Sequence, residues 1–249
     1  EGQIDHELGR VYRVRAKGTL AVRKKIDLTT MDRGELLNLA KSDSRWSRRA
    51  ALVQLRANYG LNKNKGINMS QPSSAVELEI LLGNNNLVPI KEILDAGLRG
   101  YAVRRVGEGI MSEEYRNSLI ELAGSEMDPE VVSQLVAVSK RMDSNDGLEI
   151  VKAVLNRDMF HEDPHIPLLI WWSIESKAIS EIESIKGLFS NSKFWTSKIT
   201  REEIIGRTMR RYASEETMDG YLMCAHLLSN APDQEAKIKL VEGFNEATR

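Results

Sequence analysis

Cysteine is almost missing from this chain: Cys224 is the single one among 249 residues. That rules out an internal disulfide and any cysteine-based metal cluster. Cys224 lies in the apolar run Tyr221-Leu222-Met223-Cys224-Ala225-His226-Leu227-Leu228, where a thiol is expected to be buried and inert. No run approaches the roughly 18 unbroken apolar residues of a membrane span. The phosphate-binding P-loop, the Gly-rich dinucleotide fingerprint and a serine nucleophile elbow are all missing, so no catalytic residue is expected. Gly97, Gly100, Gly107 and Gly109 lie close together but follow no strand, and are expected to let helices approach closely. The chain opens on Glu1 without a signal-peptide pattern and reads as a segment of a longer protein, so its targeting is not legible.

A net charge of one sign is also missing, but the balance hides an asymmetry. Residues 1–66 carry 15 Lys and Arg against 7 Asp and Glu, and the remainder carries 20 against 29. Such a division marks a surface for an acidic partner, or two faces that pack on neighbouring domains.

What is present is mostly helical. In residues 1–26, Val11-Tyr12-Arg13-Val14-Arg15 alternates like a strand, Lys17-Gly18 reads as a turn, and Leu20-Ala21-Val22 as a second short strand. This segment is expected to be a β tail or the end of a preceding β-domain. From Asp27 to Arg249 the period is helical. Thr30 is expected to cap a helix to about Lys41, and Ser44 one over 45–58 with Gly60 as its stop. Residues 61–73 read as a polar loop. Further helices are expected near 74–82, 86–95, 98–110, 113–123, 129–141, 146–156, 165–177, 179–190, 200–213, 215–229 and 233–246. An aspartate followed three residues later by an apolar residue recurs at Asp43, Asp95, Asp128 and Asp163, with spacings of 52, 33 and 35 residues. Short connections and this irregular repeat point to an all-α, HEAT- or armadillo-like α-solenoid of antiparallel helix pairs, with a compact helical bundle as the alternative.

The most distinctive phrase runs from Asp163 to Glu175, Asp-Pro-His-Ile-Pro-Leu-Leu-Ile-Trp-Trp-Ser-Ile-Glu. Asp163 suits an N-cap and Pro164 the first helical position. Ile166, Leu169, Ile170 and Ser173 share a stripe with Trp172 at its edge, so Trp172 is expected in the core. Trp171 is also read as core, or as lining the inner surface of the stack. Glu175 is expected to pair with Arg207 or Arg211.

Several stretches together resemble a known family. Gly9-Arg10-Val11-Tyr12-Arg13-Val14, Asp27-Leu28-Thr29-Thr30 and Ser42 to Ala51 are similar to the junction after the sugar-dehydrogenase-like β-propeller in large secreted proteins of planctomycetes and verrucomicrobia. The Asp163–Glu175 phrase resembles their D-P-N-I-P-L-L-I-W-W-A-L-E, and Met209-Arg210-Arg211-Tyr212-Ala213, Ala225-His226-Leu227-Leu228 and Ala231-Pro232 follow in the family's order. Those proteins are described as membrane-bound dehydrogenases or C-x-x-C-H haem-binding proteins, ordered propeller, HEAT-like region, cytochrome c-like domain. The resemblance makes this chain the middle part of an exported or periplasmic bacterial redox protein. It holds no C-x-x-C-H and no complete propeller, so no cofactor is expected in this segment.

The expected function is a non-catalytic scaffold that links the propeller to the cytochrome c-like domain, with other domains of the same polypeptide or another protein as partners. Arg45, Trp46, Arg48 and Arg49 form a basic helix bearing one aromatic. They are interaction candidates, together with Trp171 and Glu175. The same cluster supports a second reading, a nucleic-acid-binding HEAT-like protein such as a DNA glycosylase, against which the acidic remainder weighs. A third reading is a metal-binding module at His161-Glu162-Asp163-Pro164-His165, where His161, Asp163 and His165 are the candidate ligands; helix capping is the simpler use of those carboxylates.

Overall fold

The computed structural model describes residues 26–59, 72, 74–83, 87–142 and 144–248 of the chain. Among these residues the regular structure is helical throughout, as expected. It begins with α1 (Arg33–Ala40) and α2 (Arg45–Tyr59), followed by α3 (Ala75–Gly83) and α4 (Ala96–Val106). Then come α5 (Glu113–Ala123), α6 (Pro129–Arg141), α7 (Ser144–Leu155) and α8 (Ile166–Glu175). The last are α9 (Ile182–Ser190), α10 (Ile205–Ala213), α11 (Met218–Asn230) and α12 (Gln234–Ala247). The strands expected within 1–26 and the loop at 61–73 lie outside the described residues, Ile26 and Pro72 apart.

Aspartates open several of the helices by accepting orphan amides. Asp95 accepts from Leu98 at 2.7 Å, Asp128 from Val131 at 3.2 Å, and Asp163 from Ile166 at 2.8 Å. Asp233 does the same for Ala236 at 2.9 Å. Asp43 departs from the device: Ser44 Oγ accepts the Ser47 amide at 3.3 Å, as expected of a cap.

Other boundaries differ from the sequence reading for local reasons. Thr30 caps nothing; it ends a 3-10 turn that Asp27 opens, and α1 starts from a capping box of Asp32 and Glu35. The helix expected over 86–95 is reduced to the 3-10 turn Ile90–Glu92 behind Pro89, which lacks an amide. There Arg99 Nη1 takes the carbonyls of Ile93 at 2.7 Å and Leu94 at 3.2 Å. Asp163 also accepts the His165 amide at 2.9 Å, but α8 begins only at Ile166, so Pro167 and not Pro164 stands in its first turn. One turn of π-helix, Thr200–Ile204, runs into α10.

Helices two apart in sequence pack together. α4 lies on α6, α6 on α8, α8 on α10 and α10 on α12. A second row runs α5 on α7, α7 on α9 and α9 on α11. Between them one continuous apolar cluster extends from Leu78 to Leu240. Leu36, Ala40, Ala51 and Leu55 of α1 and α2 form a separate, smaller cluster. Several crossings are close, those at Gly107 and Gly243 among them. A Cβ on Gly107 would stand 2.4 Å from Val138 Cγ2, and one on Gly243 2.2 Å from the Gly206 carbonyl oxygen. Gly109 faces open space, so close packing accounts for only part of the glycine group at 97–109.

Polar links recur at a similar separation. Arg141 Nε donates to the Gly107 carbonyl at 3.2 Å, across 34 residues. Lys177, 4% exposed, donates to the carbonyls of Ser139 at 2.9 Å and Lys140 at 3.2 Å. Tyr212 Oη donates to the Ala178 carbonyl at 2.7 Å, again across 34 residues. Burial pushes the Tyr212 phenol well above its usual range, so it stays protonated and keeps donating. At the opposite helix ends Arg99 grips Glu126 at 2.5 and 3.0 Å, Arg116 grips Asp146 at 2.9 Å, and Arg201 grips Asp233 at 2.6 Å.

Of the tryptophan pair, Trp171 is core, one of the readings given for it, but Trp172 is not buried as expected. Trp171 is 5% exposed and Trp172 41% exposed. α8 is apolar around most of its circumference, so its sequence sets no unique buried arc, and its neighbours α6, α7 and α10 choose it. They cover Ile166, Pro167, Ile170, Trp171, Ser173 and Ile174, which leaves the next ring outward, beneath the Lys140 ammonium at 5.8 Å.

Two predictions follow from this packing. Trp171→Ala is expected to cost about 3–5 kcal/mol in urea unfolding and Trp172→Ala about 1 kcal/mol or less; the reverse order would contradict the facing of α8. For Glu126, desolvation pushes the carboxyl up, but the Arg99 guanidinium and the amides of Asp128 and Met127 hold it below its ordinary range overall. A folded pKa below the unfolded one gives stability that is complete above the ordinary carboxylate range and is lost as pH falls through the folded value. Glu126→Gln should therefore flatten the acid side of the stability–pH curve, and an unchanged slope would refute the pairing.

Candidate interaction groove

The basic helix singled out in the sequence is α2. Arg48 is fastened at its N-terminus, where Nη1 donates to the carbonyls of Ser42 at 2.7 Å and Asp43 at 2.8 Å. Arg99 on α4 uses the same reach-back five and six residues upstream. Arg48 therefore helps to build the helix entry. Ala51 and Leu55 turn inward to the small cluster. One turn apart on the outer side stand Arg45, Arg49 and Val53, at i, i+4 and i+8. Trp46 projects beside them, 63% exposed.

This outer stripe is a ridge between two hollows. On one side a cavity of about 650 Å³ lies between α2, α3 and α4. On the other a hollow of about 750 Å³ is lined by Leu28, Trp46 and Gln54 along with Arg45, Arg49 and Val53. The first cavity has arginine on both walls, Arg45 and Arg49 from α2 and Arg104 and Arg105 from α4, with Leu52 and Val76 on the apolar part of its lining.

The far wall is held by a buried carboxylate. Glu79, 5% exposed, accepts from Tyr101 Oη at 2.6 Å and from Arg105, through Nε and through Nη2 at 3.4 Å. Arg105 also pairs with Glu108, and Arg104 reaches Glu108 at 3.3 Å. Desolvation pushes the Glu108 carboxyl up, but Arg105 and then Arg104 hold it below its ordinary range overall. Among the described residues nothing pairs with the guanidinium of Arg45 or Arg49. The cavity thus carries five arginines against two glutamates. Guanidinium neither releases a proton near neutral pH nor attacks as a nucleophile; it binds planar anions through paired N–H donors.

The structure brings Arg45, Trp46 and Arg49 to one surface, with Arg48 behind them. It does not bring Trp171 or Glu175 there. Trp171 is core, and Arg207 and Arg211, the expected partners of Glu175, pair with Glu203 and Glu215. In the histidine loop, His161 Nδ1 lies 3.4 Å from the Asp158 carbonyl and Nε2 3.6 Å from Glu162, Asp163 takes two amides, and His165 is exposed. Among the described residues no group of three or more His, Cys, Asp and Glu side chains could hold a metal ion. Cys224 is buried, and burial pushes its thiol up. Sequence reasoning missed Glu79, Tyr101, Arg104 and Arg105. The available signal was a pair of carboxylates, Glu77 and Glu79, set among the apolar residues of 76–82, where a buried one demands a basic or hydroxyl partner.

Comparison with protein-family models, with curated proteins and with solved structures finds no match to this chain.

Glu79→Ala is expected to cost about 3 kcal/mol, because Arg105 and Tyr101 would lose the buried acceptor that joins α4 to α3. Chemical denaturation measures it; a loss within a few tenths of a kcal/mol would remove Glu79 from this role.

Proposed function

We propose that the chain is a HEAT-like α-solenoid segment that holds partners rather than transforming them. The observation that carries this reading is the packing of helices two apart in two rows, with polar links recurring across about 30–40 residues. Such a stack buries one continuous core and leaves extended helix ends and ridges for docking. With the resemblance already described, the segment links a dehydrogenase-like propeller to a cytochrome c-like domain in an exported bacterial redox protein. The arginine-lined groove is its docking surface on the N-terminal side, where the excess of basic residues also lies. A hollow near the other end mixes signs, Glu202 and Glu203 with Arg207 and Arg210. A basic patch confined to one end favours domain docking over a track for a nucleic-acid backbone.

The test is the reading frame and the proteins it encodes. The chain should associate, in calorimetry, with a propeller or a C-x-x-C-H domain from the same frame, with a Kd of about micromolar or tighter. A frame that encodes neither domain overturns the linking role. Turnover of a sugar or quinone by the chain alone overturns the non-catalytic one.

A further inference from the structure

We propose that the groove between α2, α3 and α4 binds an acidic peptide segment with apolar side chains interspersed, as an extended strand laid along the α2 ridge. This deepens the docking role above and rests on it. Four observations point to that ligand. Arginine stands on both walls, and the guanidinium groups of Arg45 and Arg49 are unengaged among the described residues. Their spacing of one helical turn, about 6 Å of rise, is near the roughly 6.6 Å between alternate residues of an extended chain, so successive carboxylates on one side of a strand meet successive arginines.

The surface between the charges is apolar. Leu52 and Val76 line the cavity, Val53 is shared by both hollows, and Trp46 stands exposed at the ridge. A pure polyanion would leave that surface uncovered, whereas apolar residues alternating with carboxylates would cover it. Arginine beside tryptophan is also the composition that concentrates binding energy at protein interfaces. Finally, Glu79 and Glu108 belong to the far wall. They repel closely spaced phosphodiesters, while a peptide can set its few carboxylates against Arg45, Arg49 and Arg104 and keep neutral residues opposite the glutamates.

The experiment titrates the chain with a short peptide of alternating glutamate and leucine, a glutamine–leucine control, and single-stranded DNA of similar length. Tryptophan emission reports binding, and Trp46→Phe assigns the signal, since Trp171 and Trp195 are buried and the exposed Trp172 lines neither hollow. The proposal expects the glutamate peptide to bind with a blue shift that Trp46→Phe abolishes. It expects Arg49→Glu, with an unchanged melting temperature, and Arg104→Glu each to weaken binding about tenfold or more. Arg48→Lys at the helix entry should change affinity less than either. Equal binding of the glutamine peptide, or unaltered affinity in both glutamate variants, overturns the groove while leaving the scaffold reading to its own test of domain association. Tighter binding of DNA than of peptide, with a steep salt dependence, overturns it in favour of nucleic acid.

Discussion

The packing of this chain depends on how the C-terminal ends of its row helices are satisfied. A helix end leaves carbonyls without intrahelical partners and carries the negative end of the dipole. At three successive ends the donor comes from the next helix of the same row or, for Lys177, from the turn just past it. Arg141 closes α4 at Gly107, Lys177 closes α6 at Ser139 and Lys140, and Tyr212 closes the chain just past α8 at Ala178. The three donors stand 36 and 35 residues apart. Their chemistry differs, yet each does the same work, and each ties one pair of helices to the next in a register that apolar contact alone would leave loose. The Lys177 ammonium is tolerable at 4% exposure because it meets a helix terminus aimed at it. Between the donors, Ser139 and Ser173 meet at 2.8 Å inside the core. The crossing at Gly243 and Gly206 then lets α12 sit on α10 at backbone distance.

Local capping chemistry was legible in part, since Thr30 does not cap α1 and Pro164 does not open α8. The helices over 113–123 and 129–141 stand where their Ser112 and Asp128 caps place them. Asp95 and Asp163 likewise accept the amide three residues ahead. What was not legible required knowledge of neighbours. Trp171 and Trp172 differ only in which side the adjoining helices cover, and a nearly all-apolar helix offers no polar face to say so. The segment 86–95 has helical residues, but Pro89 and the claim of Arg99 on the carbonyls of Ile93 and Leu94 stop it after one turn. Half of the groove was visible as the arginine run of α2. The other half comes from α3 and α4, more than twenty residues away, and only Glu79 hinted at it.

The groove lies at a seam. Among the described residues the apolar side chains of α1 and α2 form their own cluster, with Val76 of α3 packed against it, and the main core starts at Leu78 on α3. Apolar burial therefore joins α2 to the rest less than it joins the later helices to one another. Among the described residues little apolar contact crosses this junction, and charged side chains tolerate the resulting exposure. This is why arginines gather here, and why Glu79 is needed to hold the α3–α4 wall while the α2 wall keeps Arg45 and Arg49 outward.

Binding at a seam has a thermodynamic consequence that binding on a single helix lacks. A ligand that touches Arg45 and Arg49 on one side and Arg104 on the other bridges the small apolar cluster and the large one. It favours every state in which the two are in register, by RT ln(1 + [L]/Kd), which is about 2.7 kcal/mol at a hundredfold excess over Kd. That is comparable with the worth of a few buried methyl groups. A docking partner would thus complete the N-terminal end of the stack as well as attach to it, and the stability of α1 and α2 would rise with the partner's concentration. If the segment holds other domains in place, as proposed, assembly and folding of this end are one linked equilibrium.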